Sequence, residues 1–157
     1  METNGRCGVA SEEATGQALT LRTDGGSRGN PGHAAAGIVI ERVDGSVLAQ
    51  GKRYLGVMTN NQAEYRALLL GLTAIQRYSP SSVRVLMDSE LIVRQMCGEY
   101  KVRDEGLREL YEQAIRLARS LPSVTFTHVP RAQNARADAL VNQALDEREQ
   151  TERIERR

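Results

Sequence analysis

The chain has 157 residues, 40% of them hydrophobic and 26% charged, enough to bury one core and too few for two ordinary domains. Its formal net charge of +1 singles out neither a nucleic-acid nor a membrane partner. No apolar run approaches the ~18 residues of a membrane span, and Glu2, Glu12 and Glu13 occupy a start where a signal peptide needs basic and then apolar residues. A cytoplasmic protein with no membrane contact is therefore expected. Cys7 and Cys97 lack the spacing of a disulfide framework or zinc site and are expected as free thiols. Charge is uneven along the chain: residues 1–19 carry −2 and residues 146–157 carry −1, leaving +4 on residues 20–145. That mild basicity suits phosphate binding.

In chain order, residues 1–17 show no hydrophobic periodicity and read as a disordered leader. From Leu19, apolar and polar residues alternate as in a strand, and the stretches 37–43 and 47–55 flank Asp44-Gly45 as a hairpin. Residues 61–78 are rich in Leu and Ala around most of their circumference, as in a helix packed centrally on a sheet. A short apolar strand over 83–87 precedes helices over about 89–97 and 104–120. Residues 124–129 form the last strand, and Asn134 is placed to cap a final helix that dissolves into alternating charge. The order βββαβααβα predicts an α/β domain over 18–146 built on a mixed sheet, followed by a charged tail over 147–157.

Four acids stand where strands or helices begin or end: Asp24, Glu64, Asp88 and Asp138. Such strand ends line the ligand crevice of open α/β sheets. If the first and fourth strands are neighbours, about 4.8 Å apart, Asp24 and Asp88 can ligate one ion. Hard oxygen donors without a Cys or His cluster select Mg²⁺ or Mn²⁺ over zinc. Each acid also has a structural explanation: Glu64 follows Asn61 at capping-box spacing, Asp88-Ser89 is an ordinary helix start, and Asp138 suits the dipole of a first helical turn.

The context of these acids resembles the ribonuclease H type 1 family at four places. Thr23-Asp24-Gly25-Gly26-Ser27-Arg28-Gly29-Asn30-Pro31-Gly32 is similar to the family's first motif and Thr59-Asn60-Asn61-Gln62-Ala63-Glu64 to its second. Met87-Asp88-Ser89 is similar to the third, and Asn134 through Asp138 to the fourth. The resemblance, which runs from about Leu19 to Asp146, implies a five-stranded mixed sheet with helices on both faces. It further implies a monomeric endonuclease that cuts the RNA strand of RNA·DNA hybrids to leave 5′-phosphate and 3′-hydroxyl ends. Asp24, Glu64, Asp88 and Asp138 would be its catalytic set, holding two Mg²⁺ ions, with Mn²⁺ as a possible substitute.

The same resemblance implies substrate contacts by Gly25, Gly26, Ser27, Asn30, Thr59, Asn60, Asn61, Gln62 and Arg131. Gly25 and Gly26 let backbone approach a ligand, or serve only as turn residues. Asn60 and Gln62 are placed to read minor-groove edges or 2′-hydroxyls, and Asn30 and Thr59 to hold a phosphate of the DNA strand, while Asn60 or Asn61 equally suits a helix cap. A DNA-directed nuclease of related fold and a silent hybrid-binding module are the alternatives. The Asn60-Asn61-Gln62 cluster speaks against the first and the complete set of acids against the second.

Three features depart from the family. The basic helix and loop of its best-known bacterial members are missing between residues 98 and 103, where Lys101 and Arg103 stand instead. The loop 130–133 holds no histidine; His128 alternates with Val124 and Phe126 on a strand face and reads as structural, leaving Arg131 as the auxiliary candidate. The leader leaves no room for an appended hybrid-binding domain, so modest affinity and strong salt sensitivity are expected.

Overall fold

The computed structural model describes residues 7–10 and 16–156. Strands β2 (Ala18–Gly29), β3 (Gly32–Arg42) and β4 (Val47–Met58) form an antiparallel meander, whose β3–β4 turn is tied by the Asp44 carboxylate accepting from the Ser46 amide at 2.9 Å. Helix α1 (Asn60–Ile75) leads through a 3₁₀ turn, Gln76–Tyr78, to β5 (Ser82–Met87), which lies parallel to β2. Helices α2 (Glu90–Met96) and α3 (Glu105–Arg119) precede β6 (Ser123–His128), parallel to β5; a 3₁₀ turn, Arg131–Asn134, then opens α4 (Ala135–Glu155). The spatial order β4-β3-β2-β5-β6 is the expected five-stranded mixed sheet.

One face buries the main core. Tyr65, Leu68 and Leu72 of α1 pack on Leu21, Ile40 and Val85 of the sheet, and α2 and α3 close the layer with Ile92, Val93, Leu107 and Leu110. The Tyr65 hydroxyl donates to Gln95 Oε1 at 2.6 Å inside that layer, so its one polar atom is satisfied. On the other face α4 lies over β3 and β4, packing Val141 and Ala144 on Ala35, and Ala137 and Leu140 on Val39. Close approach is obligatory at Gly37, where a Cβ would stand 2.4 Å from the Ala137 carbonyl oxygen.

Three expectations are corrected. Within the supposed disordered leader, Cys7–Ala10 forms β1, paired antiparallel to β6 as a sixth strand; residues 1–6 and 11–15 lie outside the described residues. A four-residue strand is too short to show a period, and it forms because the edge of β6 offers unpaired backbone groups. Cys97 is disulfide-bonded, not a free thiol; it caps α2, which packs against β6, the strand that receives β1.

Nor does the last helix dissolve at residue 146: α4 continues to Glu155. Lys52 pairs with Glu147 at 2.7 Å, Arg28 with Glu149 at 2.7 Å, and the Arg148 guanidinium lies 5.1 Å from the centre of the Tyr54 ring. The alternating charges thus grip the sheet on either side of the helix. Among the described residues no helix is long and apolar enough to cross a membrane.

Exposed ion pairs contribute ~0.2–1 kcal/mol each and a surface cation–π contact a similar amount. Truncation after Asp146 should therefore lower the melting temperature by about 2–6 °C in differential scanning fluorimetry. An unchanged midpoint would show that the last turns of α4 add nothing to stability.

Candidate active site

The parallel pairing of β2 with β5 sets Arg22 opposite Leu86, so Asp24 and Asp88 lie side by side two residues further along; β5 has ended there, whereas Asp24 does not close its strand as expected but stays within β2, paired with Gly37. The condition that the first and fourth strands of the domain be neighbours holds. Glu64, 8% exposed, reaches the same point from the second turn of α1. Carboxylate oxygens of Asp24, Glu64 and Asp88 lie within 4.8 Å of one another. Asp138, in the first turn of α4, completes the wall of a cleft of ≈ 290 Å³ that all four acids line. It accepts from Arg131 at 3.3 Å and from Asn142 at 3.4 Å, and its charge is one of those that raise Asp24.

The structural explanations for two of the acids are taken by other residues. The capping box of α1 is Thr59–Gln62: Thr59 Oγ1 accepts from the Gln62 amide at 3.2 Å and Gln62 Oε1 from the Thr59 amide at 2.9 Å. Glu64 is left over, as is Asp88, because Ser89 Oγ caps α2 by accepting from the Ile92 amide at 3.3 Å. Asn134 does not cap α4. Its side chain is fully buried and donates to the Thr23 carbonyl at 2.9 Å, and its amide lowers the pKa of Asp88 against the effect of burial.

Gly25 has a role that sequence alone left open. A Cβ there would stand 2.1 Å from the Ala63 carbonyl oxygen and 2.6 Å from the Glu64 amide nitrogen. The glycine therefore faces α1, not an incoming ligand, and its missing side chain is what seats Glu64 beside Asp24. Gly26 is different: it lines the cleft, and a Cβ there would make only ordinary contact with Val141 Cγ1 at 3.5 Å and Asn60 Oδ1 at 3.8 Å.

Burial and mutual repulsion dominate the electrostatics. Asp24 is pushed up to about 8, first by burial and then by the charges of Asp88, Asp138 and Glu64. Glu64 is likewise raised to about 8, by burial and by Asp88. Burial also raises Asp88, against the opposing pull of the Arg131 guanidinium.

Of the other anticipated contact residues, Gly26, Ser27, Asn60 and Arg131 line the cleft with the acids, as does the backbone of Gly25. Ser27 Oγ is buried without a hydrogen-bond partner among the described residues. Asn60 Oδ1 accepts from the Ser27 amide at 3.2 Å, and Asn30 Oδ1 accepts from the Asn60 amide at 3.0 Å, so both side chains tie the β2 end to α1. Asn30, Thr59, Asn61 and Gln62 stand outside the cleft lining, two of them engaged in the α1 cap. His128 is half-buried at the end of β6, in register with Met87. Sequence reasoning passed over Arg28 and Asn142, which also line the cleft. The signals were present: Arg28 lies inside the first motif and Asn142 one helical turn beyond Asp138.

An open mixed sheet with converging carboxylates at its strand ends defines a ribonuclease H-like nuclease fold. The family model described as "Reverse transcriptase-like" matches residues 22–144. Ribonuclease HI of Halobacterium salinarum is 44% identical over 124 residues, covering 79% of this chain and 62% of that protein. Ribonuclease H of Acidithiobacillus ferrooxidans is 30% identical over 143 residues, covering 82% and 88%. The bifunctional protein Rv2228c of Mycobacterium tuberculosis is 46% identical over 129 residues, and the matched segment spans only 35% of its length. Its N-terminal RNase H domain superposes with a TM-score of 0.82 at 43% identity, covering 86% of this chain and 98% of that one. LC11-RNase H1 in complex with an RNA/DNA hybrid superposes at 0.79 and 44% identity, covering 82% and 97%. The chain belongs to the ribonuclease H type 1 family.

Two outcomes follow from this geometry. Gly25→Ala should displace α1 by over an ångström and carry Glu64 away from Asp24, which cancels any Mg²⁺-induced rise in melting temperature; a variant with an intact rise would mean that α1 yields without moving Glu64. The second concerns pH. Both Asp24 and Glu64 bind protons more tightly folded than unfolded, so the stability of their neutral forms is fully present below pH ~4 and is lost as pH climbs towards 8. In EDTA, Asp24→Asn should flatten the fall in melting temperature between pH 5 and 8 relative to wild type, and identical slopes would contradict the raised values.

Proposed function

We propose that this chain hydrolyses the RNA strand of RNA·DNA hybrids, leaving 5′-phosphate and 3′-hydroxyl ends, with Asp24, Glu64, Asp88 and Asp138 as its catalytic acids. The observation that carries the proposal is the convergence of three carboxylates within 4.8 Å at the end of β2, β5 and α1. The donor set fits a hard divalent cation: it is all oxygen, and two of its members are driven towards protonation, first by burial and then by repulsion that a cation would relieve. Asp24, Glu64 and Asp88 would hold Mg²⁺ or Mn²⁺, with Asp138 completing a two-ion site. Bound there, such ions supply positive charge and Lewis acidity to phosphodiester cleavage.

The chain's own residues do the rest. Gly26, Ser27 and Asn60 form the cleft wall along which a strand lies beside the acids. Asn60, which lines the cleft, presents a polar amide suited to the 2′-hydroxyls and base edges that mark an RNA strand. Arg131, its side chain 80% exposed beside Asp138, offers a guanidinium to phosphate at the rim. The hybrid held by the LC11 relative supports this choice of substrate.

The test is cleavage of labelled RNA·DNA hybrid, duplex RNA and duplex DNA with Mg²⁺, with Mn²⁺ and with EDTA. Metal-dependent cleavage of the RNA strand of the hybrid is expected, and Asp24→Asn should lower it by about a hundredfold or more while remaining folded. Wild-type turnover in that variant, or cleavage of duplex DNA alone, would refute the assignment.

A further inference from the structure

We propose that Arg28 is a substrate-recognition residue whose guanidinium is held in reserve by Asp146 and Glu149 of α4 and transfers to a backbone phosphate when nucleic acid enters the cleft. The inference rests on the cleft being a nucleic-acid site. Four carboxylates line it, and among the described residues its cations are Arg28 and Arg131. A polyanion entering that cleft needs positive charge on its walls. Arg131 is engaged with one of the catalytic acids, at 3.3 Å from Asp138. Arg28 is engaged with acids that lie outside the cleft lining, 2.8 Å from Asp146 and 2.7 Å from Glu149.

Those two partners are in water, their side chains 67% and 48% exposed, so the pairs hold Arg28 weakly and exchange readily. A phosphate, with two non-bridging oxygens, offers the same planar guanidinium a bidentate partner. Position favours the exchange as well. Arg28 lies on β2 four residues beyond Asp24, ~13 Å along an extended strand, so a nucleic-acid strand crossing the acids also passes Arg28. Its second amino group donates to Asn142 Oδ1 at 3.2 Å, and Asn142 Nδ2 in turn reaches Asp138 Oδ2 at 3.4 Å. The recognition end of the cleft is therefore one side chain away from the fourth acid.

The experiment is a double-mutant cycle read by fluorescence anisotropy, with labelled RNA·DNA hybrid, the full chain and EDTA to prevent cleavage, across a series of NaCl concentrations. Arg28→Ala should raise Kd about fivefold and make the slope of log K against log salt shallower by about one, the signature of one lost phosphate contact. Arg28→Lys should keep most of the slope. Neutralising the acids with Asp146→Asn and Glu149→Gln should tighten binding severalfold when Arg28 is present and less than twofold when it is alanine. An unchanged slope in Arg28→Ala, or an equal gain from the neutralised acids in both backgrounds, overturns the inference and makes these ion pairs simple anchors of α4. Melting curves establish that each variant is folded, and Arg28→Gln, which retains hydrogen-bonding capacity toward Asn142, replaces the alanine variant if that one unfolds. Wild type that binds no hybrid overturns the functional reading together with this inference, whereas wild type that binds while Arg28→Ala keeps its slope overturns this inference alone.

Discussion

Mutual repulsion among carboxylates shapes this molecule more than any attraction does. Asp24, Glu64 and Asp88 converge at one end of the sheet, partly withdrawn from water, in an arrangement that costs stability whenever all are ionised. Such a cluster persists only if the backbone leaves the side chains no means of separating. The parallel β2–β5 ladder fixes two of them, and the close approach of α1 over Gly25 fixes the third. Asn134 ties the turn before α4 to the Thr23 carbonyl, next to Asp24. None of these contacts touches a ligand, yet together they set the spacing on which ligation depends.

Helix α4 carries the complementary constraint. It brings Asp138 to the cleft by lying close on β3, which the run Ala34-Ala35-Ala36-Gly37 permits by presenting almost no side chain. The same helix then runs past the cleft to Glu155, gripping β4 through Glu147 and Arg148 and β2 through Asp146 and Glu149. One element therefore supplies an acid at its first turn and a charged clamp at its last. Its length matters, because a helix ending at residue 146 would leave Arg28 without Glu149 and Tyr54 without its cation.

The acids were legible in the sequence because they stand near changes of periodicity, which converge on one edge of an open sheet, although Asp24 proves to lie within β2 and Glu64 in the second turn of α1. The five strands and four helices were legible for the same reason. What escaped notice depends on tertiary contact. The pairing of Cys7–Ala10 with β6 and the disulfide at Cys97 need a neighbouring strand and helix that no local pattern announces. The charges of residues 147–155 look like a solvated tail until Lys52, Tyr54 and Arg28 are placed beside them. Asn61 and Glu64 have capping-box spacing, but the box is formed two residues earlier by Thr59 and Gln62, and only the helix start separates the two possibilities. Asn134 has the identity of a cap and the location of one, yet its amide turns inward because a buried strand-end carbonyl lies within reach.

Charge balance links the acids to whatever enters the cleft. Burial and the neighbouring carboxylates push Asp24 and Glu64 up to about 8, so a cation held by these acids would compete with protons for them. Asp138 has Arg131 and Asn142 as partners, and Asn142 leads on to Arg28. If the cleft admits a divalent cation at its acids and a nucleic-acid strand along its wall, as proposed, both would act on this one polar network. Each would then lessen the electrostatic cost of admitting the other, which is the reciprocity that two ligands of opposite charge must show in a shared cleft.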